Sequence, residues 1–146
     1  MATLDASAWY PDTIGPDYLR GNSCRGPSVW DGLLKPDVAA PGASIRSADS
    51  GTGALGVAKS GTSMSSPHVA GGAALLLEAH PALTPLEVKA RLSSTAVTTR
   101  DIWGNPFPVS LAGAGRMHVP HALQTPAYLV TLDSVGSPSP LVSLAF

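Results

Sequence analysis

Cysteine is nearly absent from this chain: Cys24 is the only one in 146 residues. A single thiol can neither close an internal disulfide nor supply a cysteine-cluster metal site. Burial statistics make it a small buried or half-buried side chain. Charge is scarce too. Charged residues make up 13% of the chain, about half the roughly 25% usual in soluble proteins, and the net charge is −1. No basic stripe of the kind that binds nucleic acid is present. The aromatic residues are scattered, which excludes a base-stacking platform. Long hydrophobic runs are missing as well. No stretch approaches the roughly 18 apolar residues of a membrane span, and the run from Val69 to Ala79 is broken by Glu78. The first residues, MATLDASAWYPD, lack a basic region followed by an apolar run, so no signal peptide is expected.

What is present is proline, glycine and small apolar residues. The 14 prolines are about twice the usual share of roughly 5%. Low charge with many small apolar residues fits either a compact secreted protein or an inner piece of a larger domain whose other part covers much of its surface. Residues 1–36 are punctuated by Pro and Gly and read as loop, with a weak strand at Met1–Asp5. Short strands are expected at 37–40 (DVAA), 43–48 (ASIRSA) and 56–60 (GVAKS). A helix over about Ser63–Ala79 is the firmest element. Its apolar residues Val69, Ala70, Ala73, Ala74, Leu75, Leu76 and Leu77 cover nearly every face, which predicts burial all round. Gly71 and Gly72 weaken that helix and leave room for a neighbouring backbone. A second helix starts with Thr84 as cap, Pro85 first in the helix and Glu87 three residues after the cap. Residues 104–116 return to Gly, Pro and Asn, residues 119–124 form a helical turn, and residues 126–146 look extended.

The long helix opens oddly, with Gly61, Thr62, Ser63, Met64, Ser65, Ser66 and then Pro67. Two readings stand side by side. In the first, Thr62 or Ser63 is an ordinary helix cap and Pro67 a kink. In the second, Ser63 is a nucleophile at a helix mouth, where backbone N–H groups without helical partners can hold a developing oxyanion.

The longer string SGTSMSSPHVAG resembles the nucleophile segment of the subtilisin-like serine proteases (subtilases, peptidase family S8). Upstream, SCRGPSVWDGLLKPDVAAPGASI is similar to the segment preceding the nucleophile, with Cys24 where serine is commoner. HPALTPLEVKARLSSTA and GAGRMHVPHAL are similar to the family's following helix and closing turn. The resemblance covers about residues 20–125. It implies an α/β fold, a three-layer subtilisin-like parallel sheet with helices on both faces, present here as its C-terminal portion. It divides the chain into 1–125, part of a catalytic domain (1–19 poorly matched), and 126–146, a linker or the start of a β-rich module. It implies peptide-bond hydrolysis of polypeptide substrates through an acyl-enzyme on Ser63, whose backbone N–H is also an oxyanion donor. It makes His68 a structural residue and places full-length members outside the cell or in its envelope.

The rest of the machinery has no match. All four histidines, His68, His80, His118 and His121, follow Ser63. The family's Asp segment, His-Gly-Thr-His segment and oxyanion asparagine are absent, and Asn22 reads as a turn residue. The chain is therefore expected to be inactive alone, with the missing N-terminal half of the domain as its partner. A non-catalytic remnant or a partner-complementing half-domain is the alternative. A self-contained esterase of the α/β-hydrolase type, with Ser63, Asp101 and His118 in that chain order, is a further rival, but its Gly-x-Ser-x-Gly turn is not matched. No cofactor is identifiable: Asp5, Asp12 and Asp17 lack the spacing of a calcium loop, although the family often binds calcium. Lys35 and Asp37 are expected to pair, while Glu78, Glu87, Lys89 and Arg91 read as solvated helix faces.

Overall fold

A computed structural model describes residues 2–5, 18–132 and 135–138. Three short strands form one sheet: β1 (Ala2–Asp5), β2 (Tyr18–Leu19) and β3 (Ala39–Pro41), in the order β2-β1-β3. β1 runs parallel to β3, with Ala2 opposite Ala39, and antiparallel to β2. The parallel pair is the α/β element that was expected; among the described residues it is a single pair. β4 (Ile45–Ala48) and β5 (Gly56–Lys59) form a separate antiparallel hairpin, Ile45 opposite Lys59. The weak N-terminal strand and the three short ones that follow are thus all found, the first of those three centred nearer Ala39 than Asp37.

Four helices follow: α1 (Thr62–Ala79), α2 (Pro85–Ser94), α3 (Val109–Ala112) and α4 (Val119–Gln124). α2 starts as its residues dictate. The Thr84 side chain accepts from Glu87 N–H, and Glu87 reaches back to Thr84 N–H at 2.7 Å, a complete capping box behind Pro85. α3 was expected as loop. It is one turn long, too short for a helical period, and is held by packing of Ala112 in a small core with Leu19, Ala39, Phe107 and Leu111.

The larger core joins α1, α2 and α4 through Leu76, Val88, Leu92 and Ala122, with Val69, Ala73, Leu83 and Leu123 against it. Gly72 belongs to this contact: a Cβ there would meet Val119 Cγ2 at 3.1 Å and Met117 Cε at 3.3 Å. What approaches Gly72 is therefore side chain rather than backbone, and Gly71 faces open space. The expected all-round burial of α1 is not found. Ser65, Gly72 and Leu76 are buried, while Leu75 is 51% and Leu77 42% exposed. The elements in this chain cover one side of the helix.

The charges of α2 are not idle. Asp37 holds Lys35 at 2.6 Å and Lys89 at 2.9 Å, so the expected local pair is a bridge from the β3 approach to α2. Burial pushes the Asp37 carboxyl up, but the hydrogen bonds and charges of the two lysines outweigh it and hold the carboxyl below its ordinary value. Arg91 donates to the carbonyls of Ala122 (3.2 Å) and Thr125 (3.5 Å) and lies 5.2 Å from the centre of the Tyr128 ring. The Tyr128 hydroxyl donates to Glu87 at 2.6 Å, and Leu129 N–H to Ser94 Oγ at 3.1 Å. The residues after α4 are thus strapped along α2. The extended run expected from 126 onward is described only in part; residues 133–134 and 139–146 lie outside the described residues.

Hydrogen bonds from Tyr128 and from the Thr84 backbone and side chain hold the Glu87 carboxyl down at about 2. A depressed carboxylate adds stability that is present above its ordinary value of 4.5 and is lost as pH falls toward 2. Tyr128→Phe removes the largest of these bonds. Titration of Glu87 by NMR is expected to show its pKa rising toward 4.5, and the acid loss of stability to become shallower. An unchanged Glu87 titration would rule out this strap.

Candidate active site

Three hydrogen bonds fasten the entrance of α1 to β3 and the chain just after it. Gly61 N–H donates to the Gly42 carbonyl at 2.7 Å. Ser44 N–H donates to Ser60 Oγ at 2.8 Å. Ser65 Oγ, fully buried, donates to the Ala40 carbonyl at 3.0 Å. Gly61 turns the chain into the helix at φ 153°, ψ 170°, a conformation that strains any residue with a Cβ.

Ser63 is the second residue of α1 and is exposed. The cap reading of the hydroxyls fails. The N-cap is Gly61, no side chain bonds the first N–H groups, and the first turn holds no acidic residue. Met64 N–H turns back to the Gly61 carbonyl at 3.0 Å. The hydroxyls of Thr62, Ser63 and Ser66 instead line an open depression of about 600 Å³ shared with Cys24 and Pro67. Cys24 is exposed, against the expectation of a buried thiol, because its segment runs past this helix mouth rather than into the core. A second depression, about 440 Å³, lies between α1 and the β4–β5 hairpin, lined by Ile45, Val57, Lys59, Met64, Pro67 and His68 among others.

No histidine is brought to Ser63. His68 stands five residues on, about 140° around and roughly 7.5 Å along the helix, with Nδ1 at 2.8 Å from the Met64 carbonyl, the structural role expected of it. His80 bonds the Leu123 carbonyl at 3.2 Å. His118 caps α4, its Nδ1 accepting from His121 N–H at 3.2 Å, and the two rings stack with centres 3.7 Å apart. His118 sits between Met117 and Val119, the two residues packed on Gly72, which is roughly 13 Å along α1 from Ser63. The Asp101 carboxylate accepts from Trp103 N–H (2.9 Å), Asn105 N–H (2.8 Å) and Asn105 Nδ2 (3.1 Å), all within its own loop. Burial raises the Asp101 carboxyl, but these bonds prevail and hold it low. Ser63, Asp101 and His118 are therefore three separate structures, not a triad. Among the described residues no three His, Cys, Asp or Glu side chains gather where a metal could bind.

The fold and site together define an α/β protein that presents a serine at the bare mouth of a helix. The chain belongs to the subtilase family, whose model matches residues 17–122. It is 41% identical over 123 residues to subtilisin E of Bacillus subtilis, covering 84% of this chain and 30% of that protein. It is 36% identical over 124 residues to the minor extracellular protease Vpr of the same organism, covering 80% of this chain and 14% of that one. The solved structure of the Clostridium perfringens CspB protease superposes with a TM-score of 0.62 at 32% identity, covering 74% of this chain and 24% of that chain. The chain thus spans less than a third of the length of these relatives.

Nothing in the string around Ser63 sets Ser65 apart from the other small residues. Only the distant Ala40 carbonyl shows that it carries the helix anchor. Ser65→Ala removes this buried hydrogen bond and is expected to lower stability by about 1 kcal/mol. Urea unfolding checks this, and a stability unchanged within error would show that the anchor contributes nothing.

Proposed function

We propose that this chain is the nucleophile-bearing part of a secreted serine endopeptidase and that Ser63 attacks the substrate's peptide carbonyl. The observation that carries the reading is the bare mouth of α1: an exposed serine, no side-chain cap, and a glycine whose backbone only glycine adopts without strain. The Ser63 Oγ–carbon bond forms as a base takes the hydroxyl proton. The carbonyl electrons move to the oxygen, where the Ser63 N–H and the positive end of the helix dipole hold the charge. Collapse breaks the C–N bond, the base returns the proton to the departing amine, and water releases the acyl group by the same steps.

The base and the acid that orients it come from residues that precede this segment in a subtilase domain, since every histidine here is placed elsewhere. On this reading the chain alone is inactive or nearly so, and residues 1–125 are the C-terminal portion of the catalytic domain. Polypeptides are the substrates, and secretion follows the relative described as extracellular. No helix of the described residues is long and apolar enough to cross a membrane.

The test is complementation. The chain is fused behind the upstream two thirds of a subtilase domain and assayed on casein. Turnover is expected from the fusion and not from the chain alone. Ser63→Ala is expected to abolish it, as loss of the serine costs subtilisin on the order of 10⁶ in kcat, and His118→Ala to leave it within about twofold. Turnover that survives Ser63→Ala sinks the nucleophile, and strong turnover by the unfused chain sinks the division of labour.

A further inference from the structure

Between Ser28 and Leu33 the chain forms a short finger. Ser28 N–H donates to the Leu33 carbonyl and Gly32 N–H to the Ser28 carbonyl, both at 2.9 Å. The Asp31 carboxylate accepts from Leu33 N–H at 3.1 Å. Gly32 makes the turn at φ 66°. At the tip Val29 is 89% and Trp30 93% exposed. An indole held on a closed loop has little ordering cost left to meet when something binds it, and tryptophan is the side chain most enriched among residues that dominate binding.

The foot of the finger connects it with the serine. Gly26 N–H donates to the Ser110 carbonyl at 2.8 Å, and a Cβ on Gly26 would overlap the Lys35 carbonyl, so the two arms meet against α3. Two residues before Gly26 stands Cys24, a wall of the Ser63 depression. Trp30 is the sixth residue after Cys24, a reach of at most about 21 Å, which an extended polypeptide covers with about six residues. We propose that Trp30, with Val29, grips an apolar side chain of the polypeptide substrate within about six residues of the bond cut at Ser63. The proposal rests on the reading of the chain as part of an endopeptidase, which supplies a polypeptide beside this finger. A bilayer is the poorer occupant. An acidic residue, Asp31, follows Trp30 at the tip, and the chain's net charge of −1 gives no general attraction to anionic headgroups.

Trp103 is the internal control. It is 79% exposed on the Asp101–Asn105 loop, also stiffened by an aspartate, but neither that loop nor the stretch leading into it supplies a wall of the Ser63 depression, as Cys24 does ahead of the finger. The 146-residue chain is made as Ser63→Ala and titrated with β-casein, an unfolded polypeptide, by surface plasmon resonance. Trp30→Ala is added in one variant, Val29→Ser in a second and Trp103→Ala in a third, each checked by circular dichroism. The expected result is an affinity lower by about tenfold or more for Trp30→Ala and by a smaller factor for Val29→Ser, with Trp103→Ala within about twofold. The Val29 variant decides the matter should Trp30→Ala not fold. Equal affinities throughout overturn the proposal. So do Trp30-dependent binding to phosphatidylglycerol vesicles without casein binding, and Trp30-dependent self-association without it. None of these outcomes requires turnover, so the grip can fail while Ser63 still works in the fusion, or hold while it does not.

Discussion

The fastening of α1 to the end of β3 is the constraint on which the rest depends. The proposed nucleophile is useful only if it is held to a fraction of an ångström, and serine is a short side chain, so the backbone must do the holding. Here Ser65 sits two residues beyond Ser63, on the buried side of the same turn, with its hydroxyl on the Ala40 carbonyl. Gly61 sits two residues before it, tied to Gly42. Ser63 therefore projects from a segment clamped on both sides by one strand end. That strand is itself paired in parallel with β1 and bonded through Ala39 to Gly115 and Met117. The closing turn of the domain, which carries Gly113 and Gly115 at positive φ against the backbones of Asp37 and Val97, supports the same strand from the far side.

α1 has more apolar faces than its neighbours here can cover. β3, α2 and α4 take the side marked by Ser65, Gly72 and Leu76; Leu75 and Leu77 remain exposed, and so do Ala70, Gly71 and Ala74. Helices of surface elements usually carry a stripe, not a full jacket, of apolar residues. The mismatch between composition and cover is what the proposed upstream two thirds of the domain would resolve by packing on the open side. It also bears on the chain by itself, since a contiguous apolar face of this kind favours association or aggregation in water.

How much could be read in advance follows from the range of the interactions. The start of α2 was legible to the residue because Thr84, Pro85 and Glu87 act within one turn of one another. The extent of α1 was legible because 18 residues give a period room to show. Ser63 was singled out by a long specific string, not by any property of a serine before a helix. Where the partner is remote the sequence was silent. Lys89 was read as solvated although Asp37 lies 52 residues away in sequence and 2.9 Å away in space. Glu87 and Arg91 meet Tyr128, from a stretch read as linker or new module. α3 has no period to detect, and the exposure of Cys24 depends on where two loops cross.

The two long helices make the functional argument by contrast. Both begin in hydroxyl-bearing sequence, and both must deal with N–H groups that have no helical acceptor. α2 satisfies its own in the ordinary way, with hydroxyl and carboxylate closing a box at its entrance. α1 has three serines and a threonine within its first five residues and uses none of them as a cap. One serine is turned inward as an anchor; the Thr62, Ser63 and Ser66 hydroxyls are left at the depression. A missing cap costs a helix about 1 kcal/mol, and the glycine entrance adds backbone strain for any residue that might replace it. A chain that builds a complete cap at Thr84 builds none at Gly61, so no side chain covers the entrance of α1. On the proposed function, the oxyanion formed when Ser63 attacks a peptide carbonyl is what would be held there, beside the serine that forms it.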